Sequence, residues 1–276
     1  MPDKNEIENI YDLTPMQAGM LFYHLVDRKS SAYFEQAVMT FTGTPEVEIF
    51  EKAFNRLIEK YDILRTVFLH KKVKKPKQVV LKQRKAKIDF IDISALPDRE
   101  KKAMLEQKIA RDRERNFDLE KDILMRVTII KTQAQKYKVI WSHHHIIMDG
   151  WCTSIIIADF IRNLTLLREG KPLGREIAPP FGRYLEWMDR QDREAGMKYW
   201  QEYLEGYEKT AGVPRQEEAP TPGRENHGYN LEEYEYYIEE ADSAGINRIA
   251  GENDVTINSL FQVMWGILLQ RYNYTG

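Results

Sequence analysis

The sequence is nearly free of cysteine: Cys152 is the one thiol in 276 residues. That excludes an internal disulfide and any zinc site built from several cysteines, and it fits a reducing compartment. Long apolar runs are lacking too. The most apolar stretch, Leu260 to Leu269, is interrupted by Gln262 and Gly266. It is about half of the ~20 residues that a membrane helix needs. The opening MPDKNEIENI mixes charges and has no apolar h-region, so it does not read as a signal peptide. Charge of one sign is also missing. The 41 basic and 43 acidic side chains leave a net −2, a poor balance for general polyanion binding, so no nucleic-acid partner and no membrane is expected. Gly and Pro are sparse, and there is no fixed-period repeat and no low-complexity segment. What is plentiful is core material: 42% hydrophobic and 11% aromatic residues, which excludes disorder as the main state. At roughly 100–200 residues per domain, the length suits one large domain or two small ones. A soluble, cytoplasmic, globular protein is expected.

Periodicity places the elements. Residues 16–26 read as a helix, with Asp12 or Thr14 as cap and Pro15 in the first turn. Residues 34–41 read as a strand. Residues 46–61 form the clearest helix, because Val47, Phe50, Phe54, Leu57, Ile58 and Tyr61 make one stripe. Short strands are expected at 65–69 and 78–81, and a charged helix at 97–116. Strands at 124–131 and 136–142 pair through the turn between them. A helix over 151–168 stops at Gly170. Residues 181–203 read as a single aromatic-rich helix. Residues 206–228 carry seven Gly or Pro and read as a linker. Beyond it come a strand near Tyr234–Ile238 and helices over 242–252 and 258–272. The order is mixed α and β.

Residues 70–87 hold nine Lys or Arg and no acid. This stretch is a solvated hairpin, or else a dock for an acidic partner surface. Nucleic acid is disfavoured because no aromatics interleave with the charges.

One cluster carries chemistry: SHHHIIMDGWC, residues 142–152, between a strand and a helix. Scaffolded strand ends are a common place for a site. A metal site is disfavoured. Adjacent histidines at a strand end point to opposite faces, and no second ligand cluster accompanies His143 and His145. Cys152 in the first turn of the following helix reads as a small buried thiol before a nucleophile. His24, His70 and His227 stand alone. A purely structural cluster is one reading, and acid/base or positioning chemistry by one histidine, whose ordinary pKa is ~6.5, is the favoured one. Gly150 after Asp149 suits a tight turn with positive φ.

These residues resemble a known family. His144 to Gly150, HHIIMDG, is similar to the HHxxxDG signature of condensation domains of non-ribosomal peptide synthetases and of chloramphenicol acetyltransferase-like acyltransferases. Residues 13–25 (LTPMQAGMLFYHL) and 61–68 (YDILRTVF) resemble the first and second condensation-domain motifs, and 181–192 (FGRYLEWMDRQD) the motif that follows the signature helix. MDGWC, with Met148, Trp151 and Cys152, resembles the branch taking a D-configured donor. The likeness spans essentially the whole chain and is greatest to gramicidin- and tyrocidine-type synthetases.

The resemblance implies an α+β fold of two similar lobes with the site in a channel between them. The first lobe would be residues 1–178. The second, from 179, would be incomplete at 276, since the family's later GxFxNT-like motif is absent. The implied reaction joins a donor aminoacyl or peptidyl thioester to the α-amine of an acceptor aminoacyl thioester. Both arrive on phosphopantetheine arms of carrier proteins, in peptide antibiotic biosynthesis, and no cofactor binds directly. His145 would hydrogen-bond the amine, as base or as positioning group. The Gly150 N–H would face the oxyanion. His144 would orient the loop, and Asp149 would pair with Arg65 to hold it. An upstream donor carrier would arrive in trans at residues 1–12, and acceptor carrier and adenylation domains would lie downstream. The alternatives are a CoA-dependent acyltransferase and a non-catalytic carrier-docking fragment.

Overall fold

The computed structural model describes residues 2–27, 31–208, 211–213 and 234–273. The chain divides into two compact units, Met1–Gln191 and Asp192–Gly276.

The first unit is α+β. Its strands are β1 (Ile7–Asp12), β2 (Phe34–Thr42), β3 (Thr66–Leu69), β4 (Lys77–Leu81), β5 (Asp89–Asp92), β6 (Met125–Gln133) and β7 (Lys136–His144). Its helices are α1 (Pro15–Val26), α2 (Val47–Lys60), α3 (Asp98–Arg115), α4 (Gly150–Arg168) and α5 (Gly182–Asp189). An antiparallel sheet runs β1-β4-β3, and a larger one runs β2-β7-β6-β5, with β5 parallel to β6. The expected pairing of the strands at 124–131 and 136–142 is formed, antiparallel, with Val127 opposite Trp141.

The apolar stripe of α2 is buried as its spacing predicts: Phe50, Phe54, Leu57 and Ile58 lie in the main core. Helices α2 and α4 cover one face of the large sheet. There Phe54 and Phe160 meet Trp141 edge-on at 5.4 and 5.2 Å, a favourable aromatic geometry. The opposite face carries Ile130 and Ile140 against Leu105 and Ile109 of α3. Helix α1 starts on a capping box, in which Thr14 and Gln17 bond each other's backbone N–H at 3.1 and 3.0 Å. Helix α4 closes before Gly170, whose φ of +67° needs glycine.

Residues 7–12, inside the segment 1–12 expected to receive a donor carrier, form the edge strand β1. Two expectations are corrected. The helix expected over 181–203 is two helices. Asp192 leaves helical geometry and caps a new helix, α6 (Arg193–Tyr203), by accepting from Ala195 N at 2.9 Å. Residues 234–238 form no strand. They are exposed, and no described segment pairs with them, so the ladder that defines a strand is missing. Most of the expected linker, 214–228, lies outside the described residues. The basic stretch 70–87 spans the β3–β4 hairpin and the chain after it. Several of its cations have local partners: Lys77 and Lys75 meet Asp12, Lys71 meets Glu120, and Arg84 donates to the Lys121 carbonyl.

The second unit contains α6, α7 (Glu240–Glu252) and α8 (Ile257–Asn273). Asn273 exchanges hydrogen bonds with the backbone of Gly212 at 3.0 and 3.3 Å. No helix among the described residues is long and apolar enough to cross a membrane.

Candidate active site

Strand β7 ends in His143 and His144, which its pleat sorts to opposite sides, and His145 follows directly. Ser142 and His144 face one side, where Ser142 donates to Asp112 of α3 and the His144 ring lies edge-on to His24 of α1 at 5.6 Å. Trp141 and His143 share the other side by alternation. His144 N donates to the Leu124 carbonyl at 3.0 Å, and His145 N to that of Tyr33 at 2.8 Å. The chain then tightens into a 3₁₀ turn, His145–Ile147. Ile146 N donates to His144 Nδ1 at 3.1 Å, and Met148 N to the His145 carbonyl at 3.3 Å. His144 therefore fixes its own tautomer: Nδ1 accepts, so Nε2 carries the proton.

Burial sets the electrostatics. His144 is fully buried. Desolvation, with smaller contributions from the other imidazoles, pushes its pKa down to about 3. Desolvation and then His145 push His143 down to about 4. Both are neutral at pH 7. His145 is half-buried. Among the described residues, His143 Nδ1, His144 Nε2 and His145 Nδ1 have no hydrogen-bond partner.

Asp149 caps α4 by accepting from Cys152 N at 3.0 Å, and this bond holds its carboxyl below the usual range. The expected pair between Asp149 and Arg65 is not formed. Asp149 is exposed and committed to the cap. Arg65 is buried and donates to Glu8 of β1 at 2.5 Å and to the Leu81 carbonyl at 2.8 Å. Gly150 does not take positive φ either. It is the first residue of α4, and a Cβ built there would meet nothing within 4 Å. Gly150 itself is exposed, while Cys152 N and Thr153 N in the same first turn are taken by the Asp149 side chain and carbonyl. Burial raises the Cys152 thiol, which makes it a poor nucleophile. Among the described residues no cluster of three His, Cys, Asp or Glu is placed to hold a metal ion.

Three contributors escape the sequence reading. Gln17 is buried on α1 and reaches the Ile146 carbonyl beside His145. Gln78, wholly buried on β4, orients Gln17. Asp62 accepts from Phe181 N at 2.9 Å, and burial raises its carboxyl. A signal for Gln17 exists: it lies four residues before Leu21 on the buried face of α1, where an amide needs an internal partner.

The comparisons agree with this architecture. Residues 7–276 match the family model described as Condensation domain. The chain is 42% identical over 270 residues to a linear gramicidin synthase of Brevibacillus parabrevis, covering 97% of this chain and 5% of that protein. It is 41% identical over 273 residues to a plipastatin synthase of Bacillus subtilis (strain 168), covering 99% and 10%. The chain thus spans a small part of these curated relatives. Among solved structures, the condensation domain from monacolin K polyketide synthase MokA aligns with a TM-score of 0.72 at 16% identity, over 97% of this chain and 61% of that one. A variant of the starter condensation domain of rhizomide synthetase RzmA, in complex with C8-CoA and Leu-SNAC, aligns with a TM-score of 0.66 at 18% identity, over 75% and 48%. The chain, with its histidine turn at the end of β7 and its aspartate-capped α4, belongs to the condensation-domain family.

Proposed function

We propose that this chain provides the histidine-bearing part of a condensation site that forms an amide bond between two carrier-bound substrates. The α-amine of an acceptor aminoacyl thioester attacks the carbonyl of a donor aminoacyl or peptidyl thioester. A C–N bond forms, the C–S bond breaks, and the phosphopantetheine thiol leaves with a proton. The carrying observation is the placement of His145. Of the three histidines it is the one left half-exposed, on a turn whose neighbours are fixed, a few residues before the exposed Gly150 that starts α4.

On this reading His145 holds the attacking amine, as base or as positioning group. The backbone N–H of Gly150, at the positive end of the α4 dipole, faces the oxyanion. His144 and the Asp149 cap hold the turn and the helix start in place. Donor and acceptor carriers, with adenylation domains, are the partners. The names of the relatives, which are gramicidin, plipastatin and tyrocidine synthases, favour peptide antibiotic assembly. A donor carrier arriving in trans at the N-terminal end belongs to the same reading.

The test is transfer between a loaded donor and a loaded acceptor carrier by the enzyme and its His145→Ala variant. A loss of roughly 10²–10⁴ in rate is expected, with the melting temperature nearly unchanged because the ring is half-exposed. A wild-type rate would reject the assignment. The C8-CoA complex of the RzmA neighbour favours a second arm with an acyl-CoA donor. Turnover with acyl-CoA but not with loaded carriers would move the chain to the acyltransferase reading.

A further inference from the structure

Each backbone polar group around His145 has a partner. Its N–H goes to the Tyr33 carbonyl, and its carbonyl accepts from Met148 N. The Ile146 N–H goes to His144 Nδ1. The Ile146 carbonyl accepts from Gln17 Nε2 at 3.3 Å. So two side chains grip this turn. One is His144, next to it in sequence. The other is Gln17, far away on α1.

The Gln17 amide has no freedom to flip. Its Oε1 accepts from Thr14 N at 3.0 Å and from Gln78 Nε2 at 3.1 Å, which leaves Nε2 to face Ile146, with Gln78 Oε1 at 3.5 Å as a secondary acceptor. Gln78 is held in turn by donating to the Asp12 carbonyl at 2.7 Å. Two buried amides thus form a bridge from the small sheet, through the first turn of α1, to the carbonyl directly after His145. Buried amides are costly unless satisfied, and these are satisfied only in this one arrangement.

We infer that Gln17, oriented by Gln78, is a positioning residue that sets the attitude of the His145 turn and so the reach of its imidazole. The catalytic consequence rests on the reading of His145 above. The mechanical one does not.

Gln17→Glu is the informative change. Glutamate at this position of a capping box still accepts from Thr14 N, so α1 keeps its start. The donor to Ile146, with its secondary contact to Gln78 Oε1, is lost, and an oxygen faces the carbonyl instead. Gln17→Met removes the same donor without a buried charge, and with it the acceptor of Thr14 N and Gln78 Nε2. In the 276-residue chain, amide hydrogen exchange at Ile146 and Met148 should quicken by roughly five- to tenfold, the worth of one buried hydrogen bond. Val139 and Ile129 in the sheet should be unmoved. In the transfer assay kcat should fall by about tenfold or more with the acceptor KM nearly constant, and Gln17→Glu should add nothing in a His145→Ala background. Unchanged exchange at Ile146 and Met148, a uniform rise across the sheet, or unfolding of both variants would overturn the inference. An equal loss of rate in the His145→Ala background would do so as well. A wild-type rate for His145→Ala alone, with local exchange still quickened by Gln17→Glu, would reject the catalytic reading and leave the bridge standing.

Discussion

Acid should weaken the first unit well before its carboxylates titrate, because two imidazoles are buried neutral. His143 and His144 have folded pKa values of about 4 and about 3, against ~6.5 in an unfolded chain. The folded values lie below the unfolded one. Their contribution to stability is therefore complete above pH ~6.5 and is lost as pH falls toward the folded values. At pH 5 each unfolded imidazole has gained about 2 kcal/mol from protonation, being 1.5 pH units at ~1.36 kcal/mol each, while the native pair stays largely unprotonated. The two together cost about 4 kcal/mol, a large part of the ~5–15 kcal/mol of an ordinary domain. The groups with lowered carboxyl pKa values, Asp12, Asp92, Glu120, Asp149 and Asp159, lose their contribution chiefly below pH ~5, at the lower end of this window. Asp62 has the opposite sign. Its raised carboxyl is favoured by acid and offsets part of the loss. Urea unfolding followed by circular dichroism at pH 7.5 and pH 5.0 measures the difference. His143→Leu removes one of the two groups, so about half of the acid loss should vanish in that variant. Equal losses in wild type and His143→Leu, or a wild-type loss under about 1 kcal/mol, would refute the argument.

Two further outcomes separate the polar anchors by their burial. Asp149→Ala removes an exposed helix cap and should cost only about 0.5–2 kcal/mol in thermal or urea melting; a larger loss would mean that Asp149 balances a buried charge. Arg126→Met removes a guanidinium that lies over the Phe34 ring and strands Asp112, which also accepts from Ser142 and Gln36. Both partners of this pair are largely buried, so a loss of about 3–5 kcal/mol is expected, and a melting curve like that of wild type would show Asp112 to be satisfied without the arginine.

Much of the fold was legible because burial leaves a periodic trace. Helix α2 announces itself through its stripe, and β6 and β7 through β-branched runs around a short turn. Two strands left little trace. Residues 7–12, IENIYD, are half polar because β1 is an edge strand, and β5, DFID, is a short edge strand of the large sheet. The break between α5 and α6 turns on one side chain, Asp192, whose capping role is invisible while the aromatic spacing on both sides stays helical. In the site, the histidine run stands out in the sequence. The burial of His143 and His144, and the partial exposure of His145, are tertiary facts. So is the partner of Arg65: nothing in the spacing of residues 8 and 65 tells that β1 pairs with β4 and brings Glu8 to the guanidinium.

The segment 60–66 explains why the site has a frame at all. Its polar side chains point to separate anchors. Lys60 and Tyr61 both reach Asp159 of α4 at 2.6 Å. Asp62 takes the Phe181 N–H, and Thr66 returns its hydroxyl to the Asp62 carbonyl at 2.9 Å. Arg65 takes Glu8 and the Leu81 carbonyl. Immediately after Phe181, Tyr11 of β1 closes so tightly on Gly182 that a Cβ there would lie 2.5 Å from the phenol oxygen. One short stretch of chain thus ties the edge strand β1, the start of α5 and the middle of α4 to the end of α2. Helix α4 is the element whose first residue stands beside the histidine turn. A condensation site needs its amine-holding group and its oxyanion donors fixed relative to each other before two tethered substrates arrive. On the proposed reading the first would be His145, whose turn is held by the Gln17–Gln78 bridge and His144, and the second would sit at the start of α4, which is tied to Lys60 and Tyr61 through Asp159. The Arg65–Glu8 pair serves that frame from a distance, without touching the loop itself.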